Sequence, residues 1–237
     1  MRLLTSFVTT AALSFLLACG GSDPAPAPAP APDPVDPVVG AATETTTPEA
    51  TPAAPATPPI ALNAEGSSIS FVARKNDEAD VAGTFTKLSG SATIPNGDLM
   101  QARGSIEFTL FGGVDTKDPA RDLNIANAFF EAFDASGPKG TVSLNNMEVE
   151  PSTLEVGGTA TGNAFVDVGA GLSMTGLALP VSVTRTESGY TVTVTEPTPV
   201  SIEKLGMNDR KAKMMELCQH KSVDDAVKVS ATLVFGG

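Results

Sequence analysis

His220 is the only histidine in the chain, so any Ser-His-Asp or Cys-His unit has to be built on it, and no serine sits in a Gly-x-Ser-x-Gly elbow. Nucleophilic hydrolysis is therefore not expected. Cys218-Gln219-His220 offers a thiol and an imidazole at i and i+2, too few ligands for a soft metal without further Cys or His nearby. The simpler reading is a helix-end cysteine partly packed in the core and an exposed histidine. Asp77-Glu78 and Asp224-Asp225 fall in turn-like sequence, where solvated carboxylates are the default, and nothing makes either a glycosidase pair. Gly157-Gly158 and Gly169-x-Gly171 lie between strand-like runs, not before a helix, so they read as turns or bulges and not as phosphate cradles. Neither a catalytic residue nor a metal site is expected, and the chain does not read as an enzyme.

Cys19 is different, because its surroundings specify a chemistry. Met1-Arg2 is a short basic start, Leu3 to Leu17 is an apolar run too short to span a bilayer, and Ala18 is the small residue before a cleavage site. Leu16-Leu17-Ala18-Cys19-Gly20 resembles a bacterial lipoprotein signal. That resemblance implies that residues 1–18 are removed and that Cys19 becomes the first residue, acylated on sulfur and nitrogen with chains such as palmitate. More than one chain anchors stably. The alternative is an ordinary secretory signal with an incidental cysteine. Gly20 and Gly21, with no Asp after the cysteine, suggest by analogy with enteric sorting an outer-membrane anchor facing the periplasm. An acylated Cys19 leaves Cys218 without an intramolecular partner, so no disulfide is expected.

From Ser22 to Pro59 the chain is Ala-Pro repeats followed by Thr, Ala, Glu and Pro, with almost no large apolar side chain to offset the entropy of ordering. Residues 19–60 therefore read as the lipidated cysteine and a disordered tether, able to reach about 100 Å if fully extended as polyproline II. The tether either lifts the domain off its membrane or is a neutral linker. Residues 61–237 form one domain, large enough for a proper core. The formal net charge of -12 disfavours nucleic acid and equally disfavours docking of the domain on anionic headgroups. Membrane association is expected from the anchor.

Beyond Ile60 the pattern has period two. Ile69, Phe71 and Ala73 alternate with Ser68, Ser70 and Val72, and Ile106, Phe108 and Leu110 with Ser105, Glu107 and Thr109. Val142 and Leu144 fall out of phase with Met147 and Val149, which predicts a bulge at Asn145-Asn146. Val156, Gly158, Ala160, Gly162, Ala164 and Val166 make a face of small residues, and further runs follow to Phe235. About seven to nine strands at this spacing mean an antiparallel barrel or sandwich. Helical spacing appears over Asp118–Ala135, with Pro119 in the first turn and Gly137-Pro138 as a stop, and again over Asp209–Gln219. Phe129, Phe130 and Phe133 could share one broad helix face that closes a barrel mouth, or pack as ordinary core over the sheet.

Taken in order, these pieces resemble the YceI-like family of lipocalin-like, periplasmic lipid-binding proteins. The resemblance rests on Ser67-x-Ile69-x-Phe71, on Val81-x-Gly83-x-Phe85 followed by Gly90, and on Val114-Asp115-Thr116 with Arg121-Asp122-Leu123 and Phe129-Phe130. It continues in Leu172-Ser173-x-x-Gly176 with Pro180-Val181, and so spans the domain from Asn63 to about Phe235. Asn63, Gly66 and Ala170 depart from the family pattern, and the Asp209–Gln219 helix is longer than its usual connection. The resemblance implies an eight-stranded antiparallel barrel with one or two short helical insertions. Its elongated apolar interior would hold an isoprenoid, such as a polyprenyl quinone or polyprenyl phosphate, or another amphiphile, and no catalytic residue or cofactor is implied.

The sequence adds an argument for a cavity. Strand parity points Phe71, Phe85 and Phe108 inward, helix phase lets Phe129 and Phe130 cap them, and Leu172 joins the same wall. The row Gly158, Ala160, Gly162, Ala164 is expected to thin the opposite wall, with Ala160 at the ligand. Asp115, Thr116 and Lys117 are candidates for a headgroup, whereas Arg121 and Asp122 are expected to be structural, Asp122 accepting hydrogen bonds near the helix start. The expected function is non-enzymatic binding or carriage of a hydrophobic small molecule by an envelope-anchored barrel. The alternative is a structural or interaction lipoprotein displaying a solid barrel to another envelope component.

Overall fold

The period-two segments form a continuous antiparallel meander in the computed structural model, which describes residues 57–76, 79–171 and 173–237. Cys19, the expected leader and nearly all of the expected tether lie outside the described residues, as does Leu172. The strands are β1 (Ile60–Ala61), β2 (Ser68–Lys75), β3 (Ala79–Phe85), β4 (Leu88–Thr93), β5 (Arg103–Thr109), β6 (Val114–Asp115), β7 (Lys139–Glu150), β8 (Thr159–Ala170), β9 (Met174–Arg185), β10 (Tyr190–Val194), β11 (Thr198–Ser201) and β12 (Ala226–Phe235). Two helices interrupt them, α1 (Pro119–Asn124) and α2 (Asn208–Cys218).

The order of hydrogen-bonded neighbours, β1-β4-β5-β7-β8-β9-β10-β12-β2-β3-β6 with β11 also on β12, closes on itself. The reason is that β3 and β4 are halves of one bent strand joined by Thr86-Lys87. Its first half pairs with β2 and its second with β5. Likewise β1 continues into β2, β5 into β6 and β10 into β11, so the twelve segments make eight barrel strands. Closure covers most strand edges, and among the described residues β11 pairs with β12 alone. At one end the segment after β1 completes the ring: Leu62 N donates to Gly90 O at 3.0 Å and Asn63 N to Val234 O at 2.8 Å.

The break predicted in β7 is present as a register shift against β8 between Leu144 and Asn146. Asn145 is the extra residue, and its Nδ2 donates to Asp167 Oδ2 at 2.9 Å. One inserted residue reverses which face the following side chains take. Val142 and Leu144 before it and Met147 and Val149 after it consequently all pack in the interior.

The first helix departs from the expected 118–135 span. Asp118 caps it, with Oδ1 accepting from Ala120 N and Arg121 N, both at 3.1 Å, and Pro119 occupies the first turn where its missing N–H is harmless. After Asn124 the chain widens into a π-turn over Ile125–Phe129. It then stops where Glu131 takes a left-handed conformation (φ 54°), and the Glu131 carboxylate pairs with Arg210 of α2, Nη2 to Oε2 3.0 Å. Phe133, expected on the same face as Phe129 and Phe130, lies beyond that stop and is 64% exposed.

Candidate functional site

The inward rows converge on one elongated cavity of about 510 Å³ along the barrel interior. That volume falls within the range typical of small-molecule pockets. Ile69, Phe71, Ala73 and Lys75 of β2 line it at alternate positions, as do Val227, Val229, Ala231, Leu233 and Phe235 of β12. One end is sealed by short 3-10 turns at Pro95–Gly97 and Leu99–Gln101, where Leu99 and Ala102 are almost completely buried. The other end opens beside α1, the π-turn and the C-terminus of α2, where Asp118, Arg121, Asn124, Met214, Cys218 and His220 reach the wall.

Phe71, Phe85, Phe108, Phe129 and Phe130 all line this cavity. Phe85 is the hub, with ring centroids 5.4 Å from Phe71, 4.4 Å from Phe108 and 6.4 Å from Phe130, and Phe129 stacks edge-on against Phe130 at 5.0 Å. Tilted and edge-on contacts at these separations are the favoured aromatic geometries. Two glycines set the rings. Phe71 lies opposite Gly83 and Phe108 opposite Gly140, and a Cβ on either glycine would collide with the ring. Each ring thus lies flat over its neighbouring strand and leaves the barrel axis open.

The row of small residues does something other than expected. Ala160 is fully buried in the packed cluster around Leu99 and Val183 and does not reach the cavity wall; of the row, Ala164 does. Gly162 is needed by its neighbours, since a Cβ there would strike the Glu148 carbonyl of β7, and a Cβ on Gly158 would sit 2.9 Å from Glu155 O. Close backbone approach therefore explains these glycines. Leu172, lying outside the described residues, has no assigned place in this wall.

The expected headgroup segment is also occupied with itself. Thr116 is buried and donates through N and Oγ1 to Asp122 Oδ1, at 2.8 and 2.6 Å. Lys117 Nζ pairs with Asp115 Oδ2 at 2.6 Å on the surface, and that hydrogen bond holds the Asp115 carboxyl below its usual range. None of the three lines the cavity. Asp122 thus ties the turn to the helix start, while Arg121 pairs with Asp118 at 3.0 Å at the mouth.

Sequence reasoning missed Lys75 and His220. Lys75 was readable, being the next inward position after Ile69, Phe71 and Ala73. His220, expected to be exposed, is half-buried at the mouth. A left-handed turn at Gln219 (φ 54°) directs it there, with His220 N donating to Met215 O at 2.9 Å and Gln219 N to Glu216 O at 3.3 Å, the paired bonds of a Schellman closure. Burial, and then the charge of Lys75, push the His220 pKa below its ordinary value. Among the described residues no group of three or more His, Cys, Asp or Glu side chains is placed to hold a metal ion.

A closed antiparallel barrel around an apolar cavity, mouthed by two short helices, defines a lipocalin-like binding architecture. The sequence profile of the YceI-like domain matches residues 61–235, and the chain belongs to that family. Among solved structures, it is similar to a polyisoprenoid binding domain from Saccharophagus degradans implicated in plant cell wall breakdown (TM-score 0.62, 16% identity, 75% of this chain and 97% of that one covered). It is also similar to BcnA of Burkholderia cenocepacia (TM-score 0.55, 15% identity, 73% and 98% covered). At such identities the likeness is one of fold. No curated protein sequence matches the chain.

Proposed function

We propose that this protein is a non-enzymatic carrier of an isoprenoid-like amphiphile, a polyprenyl lipid or quinone, held at the cell envelope by acyl chains on Cys19. The observation that carries the reading is the open cavity: six phenylalanines on its wall leave about 510 Å³ unfilled along the barrel. A solid interior would have favoured a display module. Each ~100 Å² of tail removed from water contributes about 2.5 kcal/mol. A few hundred Å² in a preformed pocket therefore reaches roughly micromolar affinity after the entropy of association is subtracted. The polyisoprenoid ligand of the Saccharophagus degradans domain supports the same class of tail here.

Organic extraction of the protein purified from its own host, followed by mass spectrometry, tests the reading. A single-tailed apolar lipid in near-stoichiometric amount is expected. Protein that is lipid-free as isolated and takes up no added polyprenyl lipid would return the barrel to the interaction-module reading.

A further inference from the structure

The two ends of the cavity are built differently, and the sealed one limits how much tail it can take. Among the described residues every charged side chain on the wall, Arg74, Lys75, Asp118 and Arg121, stands at the mouth. Around the other end the lining is Ile94, Leu99, Ala102, Met147, Val181 and Val183. An amphiphile therefore enters tail first, since a polar head buried there would find neither a charged partner nor solvent.

That end is a fixed floor. The strands around it are bonded neighbour to neighbour, Ile60 opposite Ala92 and Tyr190 opposite both Arg185 and Phe235. The free edge of β11 begins only on the mouth side of the bond from Thr195 N to Pro180 O, 2.9 Å. Across the floor lies the 3-10 turn Leu99–Gln101. Asp98 caps it, Oδ1 accepting from Met100 N at 3.1 Å and Oδ2 from Gln101 Nε2 at 2.9 Å. Leu99 N donates to Ser152 O at 2.7 Å, which ties the turn to the connection between β7 and β8, and Arg185 Nη1 braces the same connection through Leu154 O at 2.6 Å. Leu99 is 1% exposed and lines the channel, whereas Val149, Leu154 and Ala160 of the same packed cluster do not reach it.

We infer that Leu99 is the stop of a length gauge: the tail advances until its last isoprene unit meets this side chain, and only the units between Leu99 and the mouth add to affinity. This rests on the carrier reading of the same cavity and adds chain-length selectivity to it. An apolar cavity of about 150 Å³ holds benzene, so one of about 510 Å³ holds roughly twenty carbons, or about four isoprene units. A longer tail leaves its remaining units and its head outside the mouth, where they gain no apolar contact.

Calorimetric titration of delipidated full-length protein with the all-trans prenols of three, four, five and six isoprene units reads the gauge. Each buried methylene strengthens binding by about fourfold, so the step from three units to four is expected to be at least about tenfold and each step beyond four less than about twofold. Leu99→Ala opens room for about three carbons. It is expected to raise the five-unit prenol at least about fourfold over the four-unit one. If that variant fails to fold, Leu99→Val is expected to give the same change at about twofold. Affinity that climbs through six units without a break overturns the gauge and leaves the carrier intact. A break that folded Leu99→Ala or Leu99→Val leaves in place removes Leu99 as the stop. Failure of every prenol to bind overturns both readings.

Discussion

At the scale of single residues, the cavity depends on what glycine omits. Phe108 rests on Gly140 and Phe71 on Gly83, so a methyl at either glycine must push a ring off its strand and into the channel. Gly140→Ala is expected to lower stability by about 1–3 kcal/mol. It should also reduce tail uptake in the folded fraction, measured by thermal melts and lipid titration on the same sample. Arg121→Ala is expected to behave differently. Its partly exposed pair with Asp118 contributes at most about 1 kcal/mol, so a small drop in melting temperature with unchanged affinity is predicted. A large loss of affinity at unchanged stability would instead make Arg121 a ligand contact. Parity alone placed Phe71, Phe85 and Phe108 on the wall, because the pleat alternates side chains without regard to what lies across the barrel.

At the scale of elements, the turn from β11 into the α2 connection is pinned by Asp225. Ser201 Oγ donates to Asp225 Oδ2 at 2.6 Å and Glu203 N to Oδ1 at 2.9 Å. The Ser201 hydroxyl is the main reason that this carboxyl lies below its ordinary value of 3.8, with the Glu203 amide adding to it against the effect of burial. A carboxyl whose pKa is depressed on folding stabilises the fold fully above its unfolded value and loses that contribution as pH falls through the depressed one. Asp225→Ala is therefore expected to melt below wild type at neutral pH, with the gap closing as pH falls below the ordinary carboxylate range; a constant gap would assign the loss to packing. The helices show where local pattern fails. Helical spacing through Phe133 was legible, but the helix ends earlier at the left-handed Glu131, whose carboxylate meets Arg210 of the distant α2, a contact no local signal encodes.

For the whole molecule, separation of anchor from domain is the central expectation. Cys19→Ser, with the leader still removed, is expected to move the protein from the membrane pellet to the soluble fraction with an unchanged melting temperature. Retention in the pellet would place the membrane contact in the barrel. The channel itself can be filled. Ala164 lines it and Ala160 does not, so Ala164→Phe is expected to displace lipid while the barrel stays folded. Ala160→Trp, in a fully packed site, is expected to unfold the barrel through overpacking. Lipid retained in wild-type amounts by folded Ala164→Phe would move the binding site out of the channel.

The sequence by itself determined the strands, their inward rows, the bulge at Asn145 and the aromatic composition of the wall. All of these follow from residue types and a two-residue period that the backbone enforces locally. Tertiary structure alone decided that the strands close with space left inside, that Ala164 and not Ala160 faces that space, and that Lys75 and His220 both line it. Each of those outcomes depends on segments far apart in the chain being brought around one cavity. The pleat says which way a side chain points, whereas only closure of the barrel says what it meets there.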